Sequence, residues 1–293
     1  MDSTSSLGDY VAPPIPTKCQ QSIVEPFSQL ANQAETTSEL ESAKCYQASV
    51  FYMKPDPLYD KQKPYFMNVP IDPAWGPKIK QTNVSYTRKT IAVADVRGHE
   101  RLFSLDKHGF CLQDIHTSLE YHDFTNTDLV VTRYYQEVQV FLKQYTGATE
   151  ILPFDFQVRR KDPTLPVGSR GAPGKAQPFG VVHADFAEKY AKKRFQIINV
   201  WKPLRGPVYS SPLAVCDYRT VKTEDMVPTD IVFPDFVGET LNFWPNPNHR
   251  FYYVDGQRED EAWMIKCFDS GSTTDPNIAQ CMCCLLEHCL VHS

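Results

Sequence analysis

No apolar run in this 293-residue chain approaches the roughly 20 residues a helix needs to cross a bilayer. A membrane-spanning role is therefore not expected. The opening MDSTSSLGDYVAPPIPTK lacks a charged segment followed by an apolar core, so it does not read as a secretory signal. Basic excess is missing too. Thirty Lys and Arg stand against 35 Asp and Glu, a net charge of −5, which leaves no electrostatic footprint for nucleic acid. The nine cysteines have no regular spacing. Without export they are expected to be free thiols in a reducing compartment, which makes the cytoplasm the expected location. A phosphate loop is excluded as well. The Pro/Gly-rich basic stretch 161–175 ends in Gly174-Lys175, but Ser169 stands where that loop needs glycine, and Ala176 follows the lysine.

Hydrophobic residues make up 42% and charged residues 22%, ordinary values for a globular protein. Residues 1–43 are rich in Ser, Thr, Gln, Glu and Pro, and are expected to form a disordered arm. One domain is expected over 44–293. Strand patterns occur at 48–53, 89–97, 102–105 and 151–160, with a turn at 106–110. Residues 126–147 carry Val131, Tyr134, Tyr135, Val138, Phe141, Leu142 and Tyr145 at helical spacing. Thr127 or Asp128 can cap that helix and Gly147 can end it. Strand-like runs then dominate: FGVVHADF, FQIINVWKPL, SPLAVCDYRTV, RFYYV and EAWMIKCF. Short strands at this spacing predict a mainly β fold, a jelly roll or barrel of two sheets, with the helix outside the larger sheet.

Chemistry concentrates in VVHADF. Strand side chains alternate faces, so His183 and Asp185 point the same way. They supply two ligands of a 2-His-1-carboxylate triad, an arrangement that leaves positions open on Fe(II). A third must come from later in the chain, either from His249 in NPNHRFYYV or from His288 in the tail. The tail 277–293 is itself unusual, with Cys281, Cys283, Cys284, Cys289, His288 and His292 in its last thirteen residues. Those thiols suit zinc or copper(I). The spacing lacks the paired C-x2-C of a structural zinc site, and CLLEHCL reads equally well as a short buried helix.

KPDPLYDKQKPY, VADVRGHERLFSLDKHGF, INVWKPLRGPVYSSPLAVCDYRTV, NPNHRFYYV and DEAWMIKCFDS follow in collinear order from about residue 46 to 270. Together they resemble the fungal aspergillic-acid-type hydroxylase/desaturase family, which includes gibberellin desaturase-like and cephalosporin methoxylase-related members. The resemblance implies a double-stranded β-helix (cupin-like jelly roll) with flanking helices. It also implies Fe(II) and 2-oxoglutarate as cofactors, and hydroxylation or desaturation of a small molecule in fungal secondary metabolism. His183 and Asp185 match the family's H-x-D ligands. His288 in EHCL stands nearest to the distal histidine, with His249 as the alternative. No arginine follows Arg258, where the family carries one for the oxo-acid, so Arg219 and Lys202 are the remaining cationic candidates. An alternative reading is therefore a C-terminally truncated, catalytically impaired member without its closing strand. A second alternative is the Cys/His tail as a zinc or copper site. Trp201, Trp244, Tyr252 and Tyr253 could line a cavity, although core packing suits each of them better. Nothing in the sequence specifies the oligomeric state.

Overall fold

The computed structural model describes residues 43–72, 74, 76, 79–160, 181–185, 194–209, 211–271 and 283–285. The arm 1–42, the loop 161–175 and His288 lie outside them. The described strands are β1 (Cys45–Met53), β2 (Tyr65–Met67), β3 (Tyr86–Asp95), β4 (Phe110–Asp114), β5 (His183–Asp185) and β6 (Gln196–Trp201). They continue with β7 (Leu213–Cys216), β8 (Met226–Val232), β9 (Val237–Phe243), β10 (Phe251–Tyr253), β11 (Glu261–Asp269) and β12 (Cys283–Leu285). Nine of them make one mixed sheet in the order β1-β3-β10-β7-β12-β5-β9-β8-β2, and β4-β11-β6 make a second.

The large sheet curls back on itself. Beyond the antiparallel β1–β3 ladder, Phe51 of β1 bridges Val181 in parallel. The Val182 N–H donates to the Phe51 carbonyl at 2.9 Å. This contact ties the outer edge of β1 to the lead-in of β5. Ala48, Val50 and Tyr52 alternate inward along β1, as a strand with one covered face requires. They meet Val182, Ala214, Cys216, Leu241, Phe243, Phe251 and Tyr253 in the barrel interior.

β7 and β10 are buried on both faces, which is why LAVC and FYY read as unbroken apolar runs. Their other face, Leu213, Val215 and Tyr252, packs on Phe110, Leu112, Trp263 and Ile265 of the smaller sheet. The long helix Tyr135–Thr146 covers the far side of that smaller sheet through Val138, Phe141 and Leu142, against Cys111, Met264, Ile198 and Val200. The helix had been expected on the larger sheet. It packs on the smaller one, whose outer face presents Cys111, Met264, Ile198 and Val200 to it. The result is the jelly-roll class that the strand pattern predicts.

Five local expectations are corrected. Asn126 caps the helical segment, in place of Thr127 or Asp128, and its Oδ1 accepts from the Asp128 and Leu129 N–H groups at 3.0 and 3.3 Å. A π turn at Val130–Tyr134 precedes the long helix. Its wider turn shifts the angular phase of the apolar stripe, so Val130 is buried while Val131 is 42% exposed. Residues 102–105 are not a strand, because the Ser104 hydroxyl caps the helical turn Leu105–His108, which Gly109 closes at φ 81°. Residues 151–160 form no strand; the Ile151 carbonyl instead accepts from Gln139 Nε2 on the helix, at 2.9 Å. In the tail, residues 283–285 form strand β12 between β7 and β5. They are not part of a helix, and they fill the sheet at that position.

Asn126→Ala removes the cap acceptor for two N–H groups, so thermal or urea unfolding should show a loss of about 1 kcal/mol.

Candidate metal centre

β5 is short and is held on both sides. His183 pairs with Asn242, Ala184 with Leu241 and Asp185 with Thr240 on β9. On the other side His183 pairs with Cys283 of β12, and Cys283 pairs in turn with Val215 of β7. Val182 and Leu241 belong to the barrel interior. By alternation His183 therefore faces the opposite side, where Val215 and Tyr252 meet the smaller sheet. Asp185 is placed here by its backbone alone.

The His183 ring has a defined tautomer. Its Nδ1 lies 2.8 Å from the Val181 carbonyl oxygen. A carbonyl can only accept, so Nδ1 carries a proton and donates it to Val181. A histidine that ligates a metal is commonly oriented in this way, by an acceptor on its other nitrogen. The neighbouring Asn242 is 3% exposed and donates Nδ2 to Thr229 Oγ1 at 2.8 Å, which holds the wall beside His183 in one rotamer.

His249 is elsewhere and otherwise engaged. Its Nε2 donates to Asp225 Oδ2 at 3.1 Å, and its Nδ1 accepts from the Tyr52 hydroxyl at 2.9 Å. Asp225 also accepts from Asn246 Nδ2 at 2.9 Å and from the Lys222 N–H at 3.0 Å. Burial pushes the His249 pKa down, opposed by the Asp225 carboxylate. With both nitrogens engaged it offers no lone pair to a metal, so the alternative third ligand is not supported here. Instead, His249 pins the turn before β10 to β1.

Of the two cationic candidates, Arg219 is occupied as well. Arg219 grips Asp217, with Nε at 2.9 Å from Oδ1 and Nη2 at 2.6 Å from Oδ2, and Asp217 is 2% exposed. That bidentate pair fixes the turn after β7. Lys202 is half-buried, and burial lowers its pKa against the pull of Glu259, Asp260 and Glu137. It follows β6 in the smaller sheet. Trp201 and Tyr252 pack between the sheets, Tyr253 packs in the barrel, and Trp244 lies against Tyr59 with ring centroids 5.9 Å apart. Among the described side chains no three His, Cys, Asp or Glu form a metal-holding group. No described helix is long and apolar enough to cross a membrane.

Sequence reading passed over two groups. Asn242 carried no signal beyond its place in a strand. His108, assigned only to a turn, is fully buried. Its Nδ1 accepts from the Ser104 N–H at 3.3 Å, and burial, then the Arg219 charge, pushes its pKa down to about 4.

Residues 50–284 match the family model described as an Oxidoreductase/YMDC permease-like domain. The chain is 30% identical over 227 residues to the hydroxylase/desaturase efuI of Hormonema carpetanum, covering 66% of this chain and 75% of that protein. It is 29% identical over 292 residues to the hydroxylase/desaturase CTB9 of Cercospora beticola, covering 80% and 87%. Among solved structures, the iron and alpha-ketoglutarate-dependent endoperoxidase NvfI superposes with a TM-score of 0.70 at 23% identity, over 84% of this chain and 92% of that one.

His249→Ala strands a buried carboxylate and a buried hydroxyl, so urea titration at neutral pH should show a loss of about 2–4 kcal/mol. The pKa values of His249 and His108 are both held below their ordinary value of 6.5 in the fold, so the unfolded chain takes up protons first. Their contribution is complete above pH 6.5 and falls as the pH drops toward about 4, where His108 titrates. The urea midpoint should follow that decline, and His249→Ala should flatten part of it.

Proposed function

The chain belongs to the fungal hydroxylase/desaturase family of non-haem Fe(II)/2-oxoglutarate-dependent oxygenases, and from that premise we propose that it hydroxylates or desaturates a small molecule of fungal secondary metabolism at a centre built on β5. Relatives named as Fe(II)/2-oxoglutarate-dependent and alpha-ketoglutarate-dependent dioxygenases assign it the same cofactors, Fe(II) and 2-oxoglutarate.

The observation that carries the reading is the His183 tautomer. A half-buried imidazole in an H-x-D strand is held by a backbone acceptor on Nδ1, the orientation commonly seen in metal-ligating histidines, in which Nε2 is the ligating atom. In this reading His183 Nε2 and the Asp185 carboxylate are two protein ligands, and the third comes from the tail 277–293, where the family resemblance nominates His288. Held by these residues, Fe(II) with 2-oxoglutarate would supply the oxidising power for removing a substrate hydrogen. The chain's own contribution is orientation and dryness. Val181 sets the imidazole, Asn242 and Thr229 stiffen the adjoining strand, and the packed inter-sheet layer around Trp263 and Tyr252 keeps bulk water from that side of β5.

Purified protein given Fe(II), 2-oxoglutarate and dioxygen should form succinate even without a prime substrate, and His183→Ala should reduce that formation to background. Folded, iron-loaded protein that makes no succinate, or a His183→Ala variant that makes as much as the parent, would refute the assignment.

A further inference from the structure

We propose that Phe233 and Phe236, at the turn between β8 and β9, form the wall that seats the small-molecule substrate, and that the substrate offers them a flat, uncharged ring system. The proposal rests on the reading of β5 as the metal strand. It gives a role to two aromatic rings that the fold itself leaves partly in solvent.

The argument is one of face and register. Asn242 and Thr240 are the direct partners of positions 183 and 185, and direct partners share a face of the sheet. Alternation along β9 puts Gly238 on that same face, two residues and about 7 Å beyond Thr240. A Cβ on Gly238 would meet the Phe236 ring at 3.4 Å and the Phe233 ring at 3.6 Å. Both rings therefore lie over the face that carries His183. Gly238 pairs with Ile231 of β8, and Ile231 pairs with Phe66 of β2, so the same row continues outward as an apolar shelf.

The two rings are held in place yet remain open to a ligand. The Phe233 N–H donates to the Phe236 carbonyl at 2.9 Å, which closes the turn through Pro234 and Asp235. The rings stack with centroids 4.3 Å apart and planes 11° from parallel. Phe236 is nevertheless 56% exposed, and covering it with an apolar ligand is favourable. Charge sorts to the other face of the hairpin. Asp230 and Glu239 are direct partners there, and Lys63 Nζ pairs with both. Toward β5 the two strands present Val227, Thr229 and Ile231 beside Gly238, Thr240 and Asn242, none of them charged. A neutral ring system suits that surface, because a charged one would lose water without gaining a partner.

The test uses the full chain and 2-acetylnaphthalene, a flat, uncharged ketone, followed by proton NMR. Phe236→Ser and Phe233→Ser should each weaken binding about tenfold. Gly238→Val, which sets a side chain beneath the rings, should weaken it as well. Val237→Ser, on the opposite face at 61% exposure, should leave it unchanged. Mn(II) loaded into the parent should broaden the resonances of the bound ketone, which sets the wall beside the metal. The proposal is overturned by a parent that does not bind the ketone, by binding that survives all three substitutions, or by equal loss in Val237→Ser. It is overturned too by a bound ketone that stays sharp although His183→Ala abolishes Mn(II) uptake. If His183→Ala takes up Mn(II) as the parent does, the reading of β5 fails instead, which separates the two failures.

Discussion

One backbone hydrogen bond turns an open sheet into a barrel: the Val182 N–H on the Phe51 carbonyl. Without it β1 has a free edge and the segment leading into β5 has nothing to lie against. With it, Val182 enters the barrel interior beside Val50 and Tyr52, and alternation then carries His183 to the opposite face. The Val181 carbonyl beside that bridge is the acceptor that fixes the His183 ring. Closure of the fold and the tautomer of the proposed ligand are thus set within three consecutive residues.

Much of the architecture was legible because apolar periodicity reports burial. β6 and β10 fall within runs that the sequence marks as strands, and β1, β3 and β11 overlap such runs. β8 did not stand out, because Pro228 argues against a central strand. The structure resolves the conflict: β2 pairs with β8 only from Asp230 to Val232, so at Pro228 the strand has a ladder partner on the β9 side alone. Residues 102–105 failed in the other direction. Phe103 and Leu105 have strand-like character, but a serine cap and a left-handed glycine closed a helical turn around them. Local hydrogen bonding outweighed β-propensity.

The centre was legible in part. H-x-D on an alternating strand needs only sequence to place two donors on one face. The Val181 carbonyl that orients His183 is local, but the cross-strand positions of Asn242 and Cys283 come from long-range pairing, which no local pattern encodes. His249 shows the converse. Its aromatic setting suited a ligand as well as a core residue, and only the positions of Tyr52 and Asp225, far away in sequence, decide that both nitrogens are spent.

The three residues of β5 lie between strands drawn from widely separated parts of the chain. Phe51 adjoins their lead-in, while residues 240–242 and position 283 flank them. A chain emerging from the ribosome can therefore build the β1–β3 ladder early, yet β5 stays unsupported on one side until residue 283 has been synthesised and threaded between β7 and β5. Such high contact order makes β5 among the last elements to be secured. A metal held at the proposed centre would therefore be captured only once the surrounding walls are in place.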